Sequence, residues 1–499
     1  MAERSKNLYS TLLFWLISAF FSYAIVFPKF FPFTTLALIG VITSSVILFF
    51  KTTKKKYDYL WFFISLALSV SLFMRGNEFL IFINFWGVVF STSLLAISNI
   101  NLDSVLKIAL SPLILFGRTV MTSSKYSLGG SVVQKMDKGI FNFYSIAGSI
   151  LLTLIIIPLL SSANPFFSKL ISDTFGGLFK ENIFVHIARI ILFVVFVFVI
   201  PKVVSSLNEK GQDIEGKDKI TSVEMILPKI VTIVILAVFF ATQIQLYTAT
   251  TETLAALGYT HSQVAREVFG QLIVVSFIIG GLVYSDKSLA RKNWITTTVL
   301  LIEGIFLSAI AFKSVNDYSM AWGLTEKRLW GYTGVFWVLG VHGFLIYTHL
   351  RRLAHETVIK EVAAWSGAVL VLVNILNFDY LIFTYSKART QSGVDYYYLS
   401  GLSSDSHSTK EHLEKVMPLI ESEESKSDNF YRSRNISSVY RLVSRIKYLQ
   451  KKYRTIDWRS FNMSEYREYK SIEGVDTQSI IDKLAKLNNI SQPQGAPIR

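Results

Sequence analysis

The chain contains no cysteine, which excludes disulfide bonds, thiolate nucleophiles, cysteine-ligated metals and lipid anchors attached to cysteine. It is also poor in charge, because only 17% of its 499 residues are Asp, Glu, Lys or Arg, whereas a soluble chain carries roughly a quarter. Apolar residues make up 51%, and the excess lies in long runs. The composition therefore predicts an integral membrane protein.

Several apolar runs approach the ~20 residues that a helix needs to cross about 30 Å of hydrocarbon. Backbone polar groups in lipid must be satisfied within the segment, so each run is predicted to be a helix. The runs cover residues 8–27, 33–50, 59–74, 79–97, 141–160, 184–201, 224–246, 267–285, 294–312, 330–349 and 362–384. The predicted fold is all-α, a polytopic membrane bundle of about eleven transmembrane helices with a small helical extramembrane domain at the C-terminus.

The basic residues of the loops favour a cytoplasmic amino terminus. With that orientation the cytoplasmic segments hold 21 Lys and Arg residues and the opposite loops hold 8. An odd number of spans then places residues 386–499 on the extracytoplasmic side, and loss of one short span would reverse that side. The net charge of +15 follows from this loop bias and from contact with anionic headgroups, so no nucleic-acid partner is expected.

Two stretches outside the runs are predicted to be helical. Residues 161–180 place Phe167 and Ile171 at helical spacing, which fits either a helix in the outer headgroup plane or a loop packed on the bundle. From residue 386 onward no run approaches span length. Helices are expected there after Ser408, with a bend or end at Pro418, at 436–451, near 464–470 and at 476–488. The predicted domains are a transmembrane bundle at 1–385, an extracytoplasmic helical domain at 386–489 and a disordered tail at 490–499.

The basic residues of 436–451 lie away from its apolar face. They are interpreted as a solvated face, with binding to headgroups or to an acidic partner as the alternative.

Ionisable groups inside a span are costly and are therefore functional candidates. Glu303 lies near the middle of the run 294–312, and Arg189 lies at a comparable depth in 184–201. One hypothesis is an Arg189–Glu303 ion pair between helices; the other is a protonated Glu303 bonded to a hydroxyl, with Arg189 extending toward the headgroups. The other intramembrane candidates line a vestibule in one interpretation and form ordinary interhelical hydrogen bonds in the other; they are Gln243, Gln271, His342 and Asn374.

No catalytic residue, metal site or cofactor is predicted. The segment DSHSTKEH at 405–412 carries two histidines and two carboxylates, but it lacks the HExxH order and a third fixed ligand. Nucleophile-elbow, phosphate-loop and dinucleotide motifs are not found in a fitting context.

Four segments of the second half resemble, in order, motifs of the bacterial membrane-protein families DUF4153 and DUF4173. They are YTHSQVAREVFGQLIVV from Tyr259, MAWGLTEKRLWGY from Met320, NFDYLIFTYS from Asn377 and VDYYYLSGLSSDS from Val394. A fifth and weaker match is DWRSFNMSEYREY. The main motif positions are Tyr259, Arg266, Gly323, Thr325, Arg328, Asn377, Asp379 and Asp395.

The resemblance implies a bacterial cytoplasmic (inner) membrane protein, and it supplies no activity. On the predicted topology the four motifs meet at the outer face, where they are expected to form a polar seam that fastens the tail to the bundle. The leading hypothesis is a non-enzymatic scaffold, sensor or subunit of a membrane complex, with the lipid bilayer and a protein as partners.

Two other classes of function stay open. One is a transporter or channel-like carrier with Glu303 and Arg189 along its path. The other is a membrane enzyme acting on a lipid or polymer, which would need Asp379, Asp395 or Asp405 clustered beside the bilayer.

Overall fold

The computed structural model describes residues 31–97, 138–175, 226–256, 268–284, 294–351, 355–385, 394–421 and 429–491. All regular elements in these ranges are helices, in agreement with the predicted all-α class. The chain divides into two compact units. Unit 1 comprises Met1–Ser98, Trp322–Glu326 and Gly367–Arg499, and unit 2 comprises Asn99–Ala321 and Lys327–Ser366. The predicted boundary between residues 385 and 386 stays a prediction.

Unit 1 opens with three packed apolar helices, which are α1 (Phe33–Phe50), α2 (Lys56–Met74) and α3 (Glu78–Ala96). The connection between α1 and α2 is fixed by Lys51, whose Nζ lies 2.7 Å from Asp58 Oδ1 and 2.7 Å from the carbonyl oxygen of Leu95. Asp58 also accepts from the Lys55 N–H at 2.7 Å and so caps α2. One lysine therefore joins the end of α1, the start of α2 and the end of α3.

The tail contributes the remaining helices of unit 1. Their bounds are α13 (Tyr396–Leu399), α14 (Thr409–Glu421), α15 (Asn429–Arg454), α16 (Met463–Ile472) and α17 (Thr477–Ser491), with 3₁₀ turns at Ser404–Ser406 and Trp458–Ser460. The apolar face predicted for 436–451 is confirmed, because its members lie in one buried cluster with residues of α14, α16 and α17. These members are Val439, Leu442, Val443, Ile446 and Leu449. The helix after Ser408 contains Pro418 and runs on to Glu421, so the proline does not end it.

Unit 2 packs around an apolar core drawn from six helices and the start of a seventh. They are α4 (Lys138–Ala163), α5 (Pro165–Phe175), α6 (Ile226–Thr248), α8 (Val268–Tyr284), α9 (Trp294–Trp322) and α10 (Glu326–Arg351), and a short α7 (Thr251–Ala256) follows α6. The start of α11 (His355–Leu376) also belongs to this unit, with Val358 in the core. Phe167 and Ile171 of α5 are both buried in the same core. The apolar side of α5 thus packs on protein, which favours the packed segment over a helix lying in the headgroups.

Seven helices of the described ranges are long and apolar enough to cross a membrane. They are α1, α2, α3, α6, α9, α10 and the part of α11 from Val358 to Leu376, and each corresponds to a predicted run. The runs 141–160 and 267–285 fall on α4 and α8, whose apolar parts Gly148–Ala163 and Gly270–Tyr284 are shorter. The runs 8–27 and 184–201 lie outside the described residues. These helices indicate a multi-pass membrane protein.

Two predicted ends differ from the structure. The run predicted to end at residue 312 continues as α9 to Trp322, because the polar residues after Lys313 remain helical. The run predicted to reach residue 384 stops at Leu376, because Asn377 adopts a left-handed backbone with φ 49°. A separate helix, α12 (Phe378–Tyr385), follows it. A polar residue with a left-handed conformation commonly ends a helix.

Close packing inside unit 2 yields a first prediction. A methyl group added at Gly340 would lie 2.2 Å from Trp365 Nε1, and that indole is held by a 3.0 Å hydrogen bond to the carbonyl oxygen of Trp337. Gly340→Ala is expected to lower the free energy of unfolding by about 1–3 kcal/mol, the usual cost of overpacking. The melting temperature of the purified chain measures this.

The matched control for this change lies one turn along the same helix. A methyl group at Gly343 would meet no described atom within 4 Å, so Gly343→Ala is expected to leave the melting temperature unchanged or higher. Equal melting temperatures for the two variants would contradict the packing argument.

Candidate functional site

The turn between α2 and α3 is bound by a carboxylate of the tail. Asp405 Oδ1 accepts from the backbone N–H of Gly76 at 2.9 Å, and its Oδ2 accepts from the N–H of Asn77 at 3.1 Å. Asp405 is 2% exposed. Both backbone donors of the turn therefore depend on one side chain more than 300 positions later in the sequence.

Asp379 lies at the start of α12 and joins the same turn to the tail. Its Oδ2 accepts from the N–H of Ser403 at 3.1 Å, from the Ser403 hydroxyl, and from Asn77 Nδ2 at 3.2 Å. Its Oδ1 is buried without a hydrogen-bond partner among the described residues. Asn77 Nδ2 also donates to Glu326 Oε1 at 3.3 Å, while its Oδ1 caps α3 by accepting from Leu80 N at 3.0 Å.

Asn377 completes this contact from the break between α11 and α12. Its Nδ2 donates to the carbonyl oxygen of Asp405 at 2.9 Å, and its Oδ1 accepts from Tyr380 N at 3.2 Å. A second left-handed residue, His407 with φ 50°, ends the 3₁₀ turn that carries Asp405. Asn tolerates this conformation better than most residues, so the motif Asn serves both as a helix end and as a donor.

Asn462 makes a further link between the tail and the turn. Its Nδ2 donates to the carbonyl oxygen of Arg75 at 2.7 Å, and its Oδ1 caps α16 by accepting from Glu465 N at 3.1 Å. The next residue back, Phe461, stacks on Phe73 with ring centroids 5.6 Å apart and accepts from the Thr34 hydroxyl at 2.8 Å. We call Asn77, Asn377, Asp379, Ser403, Asp405 and Asn462 the polar network.

Burial raises the pKa of Asp405 above its usual value, while the hydrogen bond from the Gly76 N–H and the charge of Arg75 pull it down. The negative charge of Asp379 adds to the upward shift. The two acids thus interact electrostatically. The geometry serves hydrogen bonding to backbone donors, and within the described ranges no three His, Asp or Glu side chains are arranged to share a metal ion.

A cavity of about 820 Å³ opens beside the polar network. Three arginines of α15 line it, and each has a defined contact on the tail. Arg434 forms a two-point ion pair with Asp395, at 3.0 and 2.8 Å. Arg441 lies over the Tyr397 ring at 3.9 Å and donates to its hydroxyl, and Arg445 donates to the carbonyl oxygen of Leu402. The basic residues predicted to form a solvated face therefore include two, Arg441 and Arg445, that line this cavity.

The motif Gly-Leu-Thr-x-x-Arg occupies the connection from α9 to α10. Gly323 ends α9 with φ 80°, a conformation that glycine adopts without cost. Thr325 is half-buried and precedes α10. Arg328 is buried in unit 2 with its guanidinium 4.0 Å from the centroid of the Tyr318 ring. The neighbouring Glu326 contacts the polar network, since its Oε1 accepts from Asn77 Nδ2 at 3.3 Å, and its N–H donates to the Tyr398 hydroxyl at 2.9 Å.

Two of the intramembrane candidates form amide hydrogen bonds between helices. Asn374 and Asn84 exchange two hydrogen bonds of 2.8 Å, which join α11 to α3 within unit 1. Gln243 Oε1 accepts from Asn164 Nδ2 at 2.9 Å, which joins α6 to the start of α5 within unit 2. Both contacts have the geometry of ordinary interhelical hydrogen bonds, typically worth about 0.6 kcal/mol each in a bilayer.

The other intramembrane candidates have incompletely satisfied polar atoms. Glu303 is 8% exposed, and its Oε2 lacks a hydrogen-bond partner among the described residues. His342 shares a 3.0 Å hydrogen bond between Nδ1 and the Val338 carbonyl, while its Nε2 is likewise unpartnered and packs against Gly304. Gln271 is half-buried with an unpartnered Oε1. Arg189, Tyr259 and Arg266 lie outside the described residues, so the proposed Arg189–Glu303 pair stays a prediction.

Sequence reasoning missed Asn77 and Ser403 and gave Asn462 little weight. Asn77 and Asn462 each precede a helix with a glutamate in its first turn, Glu78 and Glu465 respectively, which is a recognisable start signal. That signal locates a cap, but it does not reveal that the same amide also reaches a distant carbonyl or carboxylate.

The comparisons with known proteins agree with the motifs. The chain matches the family described as "Domain of unknown function (DUF4153)" over residues 62–409, more than half of its length. No curated protein and no solved structure matches it. The matched range contains, in part or whole, the six spanning-length helices from α2 onward. It also contains the turn at Gly76, and Asp379 and Asp405 of the polar network. The chain is therefore a member of the DUF4153 family.

Proposed function

We propose that this DUF4153 protein is a non-enzymatic scaffold, sensor or subunit of a membrane complex that presents its helical tail outside the bacterial cytoplasmic membrane. The proposed topology has eleven spans, a cytoplasmic amino terminus and an extracytoplasmic helical domain at 386–489. The observation that carries the proposal is the polar network, which hydrogen-bonds the tail to the ends of apolar helices. Because the tail is hydrogen-bonded at several positions to the turn between α2 and α3, binding of a partner to the tail can change the conformation of that turn.

The role in a complex is tested by native purification. The full chain, tagged at the amino terminus, is extracted gently from its source cell and the bound proteins are quantified by mass spectrometry. A partner in near-equal amount is expected, and its loss from a variant with a detached tail would assign the tail as the docking surface. A chain that purifies alone, in wild type, would contradict the proposal. A reporter fused after residue 400 tests the topology, since cytoplasmic activity there would overturn the extracytoplasmic side.

Attachment of the tail is tested at Asn462 with two substitutions. Asn462→Ala removes the cap of α16, worth about 1 kcal/mol, and the hydrogen bond to the part-buried Arg75 carbonyl, worth about 0.5–1.5 kcal/mol. Asn462→Asp keeps a capping oxygen but cannot donate to that carbonyl. Both variants are expected to make the tail more sensitive to protease in the purified full-length protein.

Comparison of Asn462→Ala with Asn462→Asp separates the hydrogen bond to the Arg75 carbonyl from the cap of α16. If Asn462→Asp were as resistant as wild type, the bond to Arg75 would contribute nothing and only the cap would matter. Asn435→Asp, in the second turn of α15, serves as the control for the added charge and is expected to preserve resistance.

A second candidate function is a transporter or channel-like carrier, favoured by the unpartnered buried oxygen of Glu303. A carboxyl group at that depth in a span is costly unless it is neutral or paired. If it carries protons, Glu303→Gln is expected to abolish proton flux into vesicles containing the purified chain, measured with a pH-sensitive dye.

The control is Glu252→Gln on the exposed surface of α7, which is expected to leave flux unchanged. Flux that is absent from wild type, or that persists in Glu303→Gln, would remove this candidate.

A further inference from the structure

The cavity beside the polar network has charges of opposite sign on its two sides. One side comes from the ends of the apolar helices and carries three carboxylates, those of Glu78, Glu326 and Asp379. The other side comes from the tail and carries the three arginines of α15 together with the carboxylates of Asp395 and Glu465. We call these the span side and the tail side of the cavity.

The charged side chains of each side form their ion pairs and hydrogen bonds mainly with residues of the same side or with neutral groups. On the tail side, Arg434 is neutralised by Asp395 at 2.8 Å, and Glu465 pairs with Lys452. Arg441 and Arg445 use their Nη2 atoms on a hydroxyl and a carbonyl oxygen, and each guanidinium has five N–H donors in all. Arg445 also approaches Glu468 at 3.8 Å.

On the span side the carboxylates meet neutral donors. Asp379 and Glu326 both accept from the Asn77 amide, and Asp379 accepts from Ser403 as well. The wall as a whole thus presents carboxylates opposite guanidinium groups. An anion alone is disfavoured by the span side, and a cation alone is disfavoured by the tail side.

The position of the cavity further limits the class of ligand that it can bind. Gly76, Asn77, Glu78 and Phe79 form part of its wall, and they connect α2 to α3, two helices of spanning length. Such a connection lies at a bilayer boundary. Phe79 is exposed, which fits contact with lipid there. A volume near 820 Å³ is within the range of small-molecule sites.

We propose that this cavity binds a zwitterion made of an ammonium group and a phosphate, which is the chemistry of phosphoethanolamine. The phosphate meets Arg441 and Arg445, because guanidinium groups suit phosphate oxygens. The ammonium meets the span-side carboxylates of Glu78, Glu326 and Asp379. The unit has two sources, a free small molecule or a phospholipid headgroup. The inference deepens the proposed sensor role and rests on the proposed attachment of the tail.

The binding test uses the full chain in nanodiscs of phosphatidylglycerol, titrated with phosphoethanolamine in a calorimeter. Saturable binding of one molecule per chain is expected, with inorganic phosphate alone and ethanolamine alone at least tenfold weaker. No binding of phosphoethanolamine, or equal binding of phosphate alone, would overturn the proposal.

Variants assign the two ends of the ligand. Arg441→Gln and the double variant Glu78→Gln with Glu326→Gln are each expected to raise the Kd at least tenfold, while Arg441→Lys has a smaller effect. Two exposed groups outside the cavity serve as controls, and Arg467→Gln and Glu414→Gln are expected to leave the Kd unchanged. Loss of binding in the controls, or unchanged binding in the cavity variants, counts against the site.

The source of the ligand is read by native mass spectrometry from nanodiscs that also contain phosphatidylethanolamine. One retained phosphatidylethanolamine per chain, displaced by phosphoethanolamine, supports the headgroup; binding of the soluble compound without lipid retention supports the free molecule. Protease resistance of the tail is measured on the same samples. A resistant tail without any binding overturns the ligand alone, whereas a sensitive wild-type tail overturns the proposed function.

Discussion

Asp405→Ala is expected to detach the tail from the turn between α2 and α3. The substitution leaves the N–H groups of Gly76 and Asn77 without the acceptors that now lie at 2.9 and 3.1 Å. A buried donor without a partner costs about 1–3 kcal/mol, so the two together weaken the attachment by about 2–6 kcal/mol. The readouts are protease sensitivity of the tail and faster hydrogen exchange at the two amides.

The neutral isostere separates hydrogen bonding from charge. Asp405→Asn keeps one acceptor oxygen, and it removes a charge whose burial raises the pKa of this carboxyl. The pKa of the Asp405 carboxyl is higher in the folded chain than in the unfolded chain. The free energy of unfolding therefore falls as the pH rises from the unfolded pKa through the folded pKa. Asp405→Asn is therefore expected to be milder than Asp405→Ala. If Asp405→Asn weakened the attachment as much as Asp405→Ala, the carboxylate charge would matter more than its hydrogen bonds. Asp482→Ala, at an exposed position of α17, is the control and is expected to have no effect.

The second large effect is a loss of tail stability in mild acid that depends on His412. This side chain is fully buried among the helices of the tail, and burial lowers the pKa of its imidazole to about 4. The unfolded chain takes up the proton near pH 6.5, so the unfolded state binds more protons between pH 6.5 and 4. The free energy of unfolding is expected to fall by about 3 kcal/mol over that window, with no further loss from this residue below pH 4.

Hydrogen exchange of α15 in the full-length protein, at pH 7 and pH 4.5, measures this loss. His412→Phe fits among Phe383 and Tyr396, whose ring centroids lie 6.2 and 5.4 Å away, and it is expected to remove most of the pH dependence. His407→Asn is the comparison variant, since Asn accepts the left-handed conformation of this position. Burial also lowers the pKa of His407, so this variant is expected to remove a smaller part of the pH dependence than His412→Phe. An unchanged pH dependence in His412→Phe would show that another group titrates.

The helical class and the positions of the spanning helices follow from apolar runs, because a bilayer demands length and apolarity of each segment. The tail core was also predictable, since Val439, Leu442 and Ile446 recur at helical spacing. The break at Asn377 was not, because the apolar run continues through it to Phe383 and hides a single left-handed residue.

The polar network shows where sequence reasoning stops. The motif residues Asn377 and Asp379 were selected as polar positions near the end of a span, and both side chains lie in the polar network. Their partners Ser403, Gly76 and Asn77 were not, because pairing between distant segments leaves no periodic pattern in one sequence. The same holds for Asn84, whose partner Asn374 is 290 positions away.

Hydrogen-bond partners in the polar network are far apart in the sequence, which determines the order in which these contacts form during synthesis. The Arg75 carbonyl oxygen accepts its hydrogen bond from a residue 387 positions later. The N–H groups of Gly76 and Asn77 can donate to Asp405 only after that residue has been synthesised. During synthesis from the amino terminus, α1, α2 and α3 therefore enter the bilayer long before their tail contacts exist. Lys51 closes the other end of these helices as soon as Leu95 is present. A chain truncated before residue 405 is expected to insert and then be degraded, with its early turn still unpaired.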